Sequence, residues 1–211
     1  MLERWISDLT ETDGGAGLDL ARETFHERTG SFDIGDRCYE ERIRFFFDWY
    51  LCDFGGATTW IEAHPSADDE ERRAARACIT SARSLYSVRS VERGQVCLDD
   101  RVGGARFSVA AVGPAERLIP GEIFDGRLLV LDEARLASGI IFHPPEAREA
   151  LELLLAQIAP VDGPREPVLD GLLRMRMRLD RFESIRARHI YRPEALADTD
   201  ILSAAWARKT E

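Results

Sequence analysis

Lysine is almost missing from this chain: Lys209 is the only one among 28 basic residues. We read that as high-GC codon usage rather than as chemistry. An excess of positive charge is also missing. The formal net charge is −10, so most of the surface would repel a phosphate backbone or an anionic membrane. The first residues, "MLERWISDLTETDGG", carry acids where a signal peptide needs a basic start and an apolar core. No stretch approaches the ~20 apolar residues of a membrane span. The expectation is a cytoplasmic protein.

Cysteine is sparse and dispersed. Cys38, Cys52, Cys78 and Cys97 show no C-x-x-C spacing, so a disulfide framework is not expected and buried free thiols are. The four histidines, His26, His64, His143 and His189, are scattered and form no metal motif, so no zinc and no other cofactor is expected. There is no G-x-S-x-G, H-E-x-x-H, P-loop or G-x-G-x-x-G.

What is present is a good deal of apolar residue, 45% of the chain, enough for one large domain or two small ones. The densest stretch is "RIRFFFDWYLCDF", Arg42 to Phe54. On a helical wheel Ile43, Phe46, Phe47, Tyr50, Leu51 and Phe54 share one side. Phe45, Trp49 and Cys52 occupy much of the other. Arg44 and Asp48, at i,i+4, form the one polar strip and can pair. A helix apolar nearly all round is surrounded by protein. Asp53 falls inside the apolar arc and is expected to bond backbone or an arginine at the helix end.

Three regions follow from periodicity. Residues 1–83 read as helices, with Ser7 or Thr10 as caps, Leu18, Ala21 and Phe25 on one face closing at Gly30, and a break at Pro65. A cap at Ser66 or Asp68 then opens a helix running to about Arg83. Residues 84–143 read as five short strands separated by turns at Arg93-Gly94, Gly103-Gly104, Pro120-Gly121 and Asp132-Glu133. They suggest a small antiparallel barrel or bent sheet, SH3-like or OB-like. Residues 144–211 return to helix and pack back. The class is α+β, as one compact unit.

Residues 165–192 hold eight arginines against four acids, a local charge of +4 beside an acidic body. In "LLRMRMRLDR" the Leu/Met/Arg content argues helix although the alternation argues strand. Such a helix can dock on the acidic body, lie on a membrane, or present Arg174, Met175, Arg176, Met177, Arg178 and Arg181 to a partner protein or RNA.

The runs "FFFDWYLCDF", "TTWIEAH", "SARSLYSVRSVERGQVCLDD", "LIPGEIFDGRLL" and "ASGIIFHPP", over roughly residues 40–145, resemble the body of a group of poorly characterised bacterial proteins. Some of that group carry a SEC-C zinc knuckle. The resemblance implies an aromatic helix preceding a small β-region with a P-G-[DE] turn. It also implies an accessory or interaction role. The clustered Cys and His of the knuckle are absent here, so zinc is not implied. The expected function is a non-enzymatic regulatory adaptor that contacts another protein. The alternatives are a hydrolase or nuclease-associated module using Asp53, Glu62, Asp99 and Asp100, and an RNA-binding accessory.

Overall fold

The computed structural model describes residues 2–182 and 184–198; Glu183 and the end of the third expected region, including Lys209, lie outside it. Five helices come first: α1 (Leu2–Asp13), α2 (Ala16–Thr29), α3 (Tyr39–Cys52), α4 (Gly56–Ala63) and α5 (Asp69–Ile79). Six strands follow: β1 (Ala82–Glu92), β2 (Gln95–Asp100), β3 (Arg106–Ala110), β4 (Ile123–Val130), β5 (Ala134–Leu136) and β6 (Ile141–His143). Helices α6 (Arg148–Ile158), α7 (Glu166–Arg181) and α8 (Ala187–Ile190) close the described chain.

The aromatic helix is α3, and it lies in the core. Phe45, Phe46, Trp49, Tyr50 and Leu51 are buried with Trp5, Phe25 and Trp60 from the helices around it. Phe47 is only partly buried, on the rim of that cluster. Its polar residues differ from the wheel reading. Arg44 approaches Glu40 at 3.9 Å, one turn back. Asp48 is buried instead, accepting from Ser138 Oγ at 3.0 Å and from Gly139 N–H at 2.5 Å. A carboxylate buried on α3 is satisfied only because a loop from the sheet brings donors to it. Gly139 must be glycine for that approach: a Cβ there would sit 2.3 Å from the Cα of Phe45.

Arg42 is buried completely in the same helical layer. It lies over the rings of Phe25 and Phe32, at 5.1 and 4.8 Å, and donates to the Gly30 carbonyl at 2.7 Å. Burial pushes its pKa down to about 10.

Helix ends correct two readings. Ser7 and Thr10 sit inside α1, where Thr10 donates back to the Ile6 carbonyl at 2.7 Å. Asp68, not Ser66, caps α5, in a reciprocal capping box with Glu71. α5 ends at Ile79, and Arg83 already belongs to a strand.

The sheet is antiparallel, in the order β3-β2-β1-β4-β5, with β6 also pairing β4. It curls into a half-barrel that brings β3 near β5. Arg93 and Gly94 both have positive φ, 50° and 78°, as a two-residue type I′ hairpin between β1 and β2 requires. The fifth strand read from the sequence, "LASGIIFHP", is β6, and a further short strand, β5, precedes it; both pair with β4.

Both faces of the central strands are covered. Tyr86, Val88, Leu98, Phe124 and Leu128 fill the concave interior. Leu85 and Ile123 face outward, into the layer formed by Leu151, Leu154, Leu172 and Met175 of α6 and α7. Period 2 then puts Arg83 beside Leu85, and Asp125 and Arg127 beside Ile123, on the same outward face. Charges inside apolar strands thus arrive together under the helices.

Candidate functional site

Arg83 and Arg127 stand directly opposite each other across β1 and β4. Like charges in that register repel, so each needs a carboxylate. Arg83 has two. Its Nε and Nη2 bind the Asp125 carboxylate at 3.1 and 2.7 Å, and Nη1 binds Asp170 of α7 at 2.6 Å. Arg28 of α2 reaches the other Asp170 oxygen at 2.8 Å. Burial opposes the Arg83 charge, yet Asp125 and Asp170 lift its pKa above the ordinary guanidinium value. Arg127 pairs with Asp53, just past the end of α3, and donates to Ser81 Oγ at 2.8 Å.

Above this network opens a cleft of about 530 Å³, lined among others by Arg28, Asp53, Arg83, Arg127, Arg165 and Glu166. Arg165 is the residue before α7, so the positive end of that helix also borders the opening. Arg165 reaches Asp100 at 3.2 Å. Four arginines from four distant segments therefore meet at one place. Sequence reading did not single them out as a group. The available signal was the pair of charges in the otherwise apolar run "IFDGRLLV" of β4.

The carboxylates named from sequence do not converge on one another. Asp53 holds Arg127. Asp99 is shared by Arg89 and Arg106 on the exposed face of the sheet. Asp100 is buried and organises the turn after β2, accepting from Val102 and Gly103 N–H at 3.0 and 2.7 Å and from Ser84 Oγ. Glu62 is exposed on α4. Among the described residues no group of three His, Cys, Asp or Glu is placed to hold a metal ion.

The arginine and methionine set on α7 is turned inward. Met175 and Met177 are fully buried, and so is Arg178, which donates to the Asp198 carbonyl at 3.0 Å and pairs with its carboxylate. Arg174 is 6% exposed and binds the carbonyls of Arg28, Leu196 and Asp198. Arg181 pairs with Asp36 at 3.0 Å and donates to the Ser31 carbonyl at 2.8 Å. Arg176 donates to the Phe142 carbonyl at 2.6 Å and pairs with Asp180. Of the six, Arg176 lines a second groove, about 500 Å³, with Arg37, Cys38, Glu41 and Asp180. The Cys38 thiol there is pushed up to about 11 by burial and by Asp180, so it is a poor nucleophile.

No described helix is long and apolar enough to cross a membrane. Comparison with curated proteins and with solved structures found no match. A family model described as a family of unknown function, DUF7986, matches residues 36–159, which run from just before α3 to the end of α6. The match takes in Asp53, Arg83 and Arg127 of the cleft and stops short of Arg28 and Arg165. It covers more than half of the 211 residues, and the chain belongs to the DUF7986 family.

Proposed function

We propose that the protein is a non-enzymatic interaction module that holds an anionic group of a partner protein in the cleft at the start of α7. That group is a chain-terminal carboxylate or an acidic side chain. The observation that carries this reading is the convergence of Arg28, Arg83, Arg127 and Arg165 on one opening. Arg83 is fixed by its buried pair with Asp125, and the buried Arg127 by Asp53 at the surface, which pre-organises the floor. Arg28 and Arg165 keep 37% and 41% of their side chains exposed at the mouth, where a ligand oxygen can share them with Asp170 and Asp100.

The acidic body turns polyanions away at long range. A small anionic group read at short range fits this balance better than nucleic acid. A regulatory role in the bacterial cytoplasm belongs to the same proposal, as does a relation to the SEC-C-containing proteins. The acidic surface and free thiols support the former, and the quoted motifs the latter.

The test uses an Asp/Glu-rich peptide and its Asn/Gln counterpart with an amidated C-terminus, so that the counterpart has no carboxylate at all, followed by thermal shift and calorimetry. The acidic peptide should raise Tm and the neutral one should not. Arg165→Glu should lose that response while staying folded, because Arg165 is part-exposed and the buried Asp100 keeps its bonds from Val102, Gly103 and Ser84. If Arg165→Glu binds the acidic peptide as the wild type does, or if neither peptide binds the wild type, the reading fails.

A further inference from the structure

Cys38 and Met177 lie 139 residues apart in the chain, and their sulfurs are 3.6 Å apart in the fold. They form a small buried cluster of their own, with Phe32 packed against it. Cys38 is the residue before α3, and Met177 belongs to α7. One turn along α7, Asp180 places its Oδ2 3.4 Å from the same Cys38 sulfur. Met177 and Asp180 are three residues apart on one helix, so their side chains share a face.

The Cys38 thiol has one proton and two acceptors, the thioether and the carboxylate. It can serve one of them at a time. The other Asp180 oxygen, Oδ1, is held by Arg176. Cys38, Asp180 and Arg176 line the groove of about 500 Å³, with Glu41 and Glu146 also on its wall. Met177 is fully buried, so an ion entering from the groove meets Cys38 and Asp180 first.

We propose that Cys38, Met177 and Asp180 form a binding site for a soft monovalent metal ion, copper(I). The three donors are a thiolate, a thioether and one carboxylate oxygen, and the two sulfurs select a soft ion. Charge decides against zinc. Asp180 and Arg176 cancel, and the thiol is neutral. Exchanging its proton for a monovalent ion leaves that balance as it is. A divalent ion would leave one positive charge buried and unpaired. Zinc in a structural site also takes four protein ligands, and this group offers three.

The exchange forms one copper–sulfur bond, to the Cys38 thiolate, and breaks the S–H bond, whose proton goes to solvent. Met177 Sδ and Asp180 Oδ2 complete the coordination through lone pairs. No electron is transferred. Metal–thiolate bonds of about 2.3 Å put the donors of a three-coordinate ion about 4 Å apart. The observed 3.6 and 3.4 Å therefore need only a small opening. Cys38 and Asp180 stand at helix ends, where such an adjustment is local. This inference does not depend on what the arginine cleft binds.

The experiment mixes the reduced full chain with the copper(I)–bicinchoninate complex under argon and follows the loss of the complex's colour. One equivalent of copper should transfer per chain, and X-ray absorption should show two sulfurs and one lighter atom around it. Zinc(II) offered in the same buffer should not be retained. Cys38→Ser should abolish the transfer. Met177→Leu, which keeps the core volume, should weaken it at least about tenfold. Cys97→Ser should bind as the wild type does. No transfer to the wild type overturns the proposal, and so does zinc retained in place of copper. Transfer to Cys38→Ser, which puts the ion on another thiol, does so equally, as does unchanged binding by Met177→Leu. If Cys38→Ser fails to fold, Met177→Leu still decides.

Discussion

His143 has no room to become charged. It is fully enclosed at the end of β6, its Nδ1 lies 2.8 Å from the Tyr191 hydroxyl, and its Nε2 has no partner among the described residues. Burial and the nearby Arg176 push its pKa down to about 3, from an ordinary 6.5. The unfolded chain takes up a proton below about pH 6.5, and the folded chain does not. This residue therefore contributes stability above that pH and loses it as the pH falls toward 3. The slope is about 1.4 kcal/mol per pH unit within the window. Urea unfolding at pH 7, 6, 5 and 4 should show the stability advantage of the wild type over His143→Gln shrinking at that rate. A constant difference would mean that His143 titrates normally. The same logic makes His143 a packing residue and not a base, although it is the most perturbed histidine described.

At the scale of elements, α7 carries the main lesson. Leu173, Met175, Met177 and Leu179 alternate with arginines, and on a 3.6-residue helix such alternation spreads both kinds round every face. A helix of that pattern in the middle of a molecule must bury arginines, and these find backbone carbonyls at 28, 142, 196 and 198. Arg178→Glu should therefore cost about 3–5 kcal/mol, as stranding a buried charge does. Arg165→Glu, at the residue before the helix, should cost less, because Arg165 is part-exposed and Asp100 keeps its bonds from Val102, Gly103 and Ser84. Urea midpoints compare the two, and an Arg178→Glu variant as stable as the wild type would return α7 to the surface. Element identity was legible in the sequence because periodicity and caps are local: α3, the capping box of α5 and the β1–β2 hairpin all show there. The candidate site was not. Positions 28, 53, 83, 127 and 165 share no spacing, and only the curl of the sheet and the start of α7 bring them together. The polar strip on α3 failed for the same reason, since the donors that satisfy Asp48 come from 138 and 139.

For the whole molecule, the question is whether the helical region of residues 1–81 can stand apart from the sheet. Its apolar cluster includes Ile141 from β6 and Leu173 from α7. Its buried Asp48 takes both donors from the loop at 138–139. Arg28 is tied through Asp170 to Arg83 and Asp125, a chain of charges linking α2, α7, β1 and β4. Cutting after Ser81 would expose the edge of the cluster and leave Asp48 and Arg28 without these partners. A buried carboxylate such as Asp48 left unpaired costs several kcal/mol, against a total stability of about 5–15 kcal/mol for a typical domain. Residues 1–81 expressed alone should therefore show no cooperative thermal transition. In the full chain, the slowest-exchanging amides of α3, β4 and α7 should open with one common free energy under mild denaturant. A fragment that melts cooperatively, with Trp5, Trp49 and Trp60 as shielded as in the full chain, would show the helical part to be an independent domain. Separate opening energies for α3 and β4 would place a boundary between them. Coincident unfolding would instead mean that the cleft, with walls drawn from all three regions, exists only in the fully folded chain.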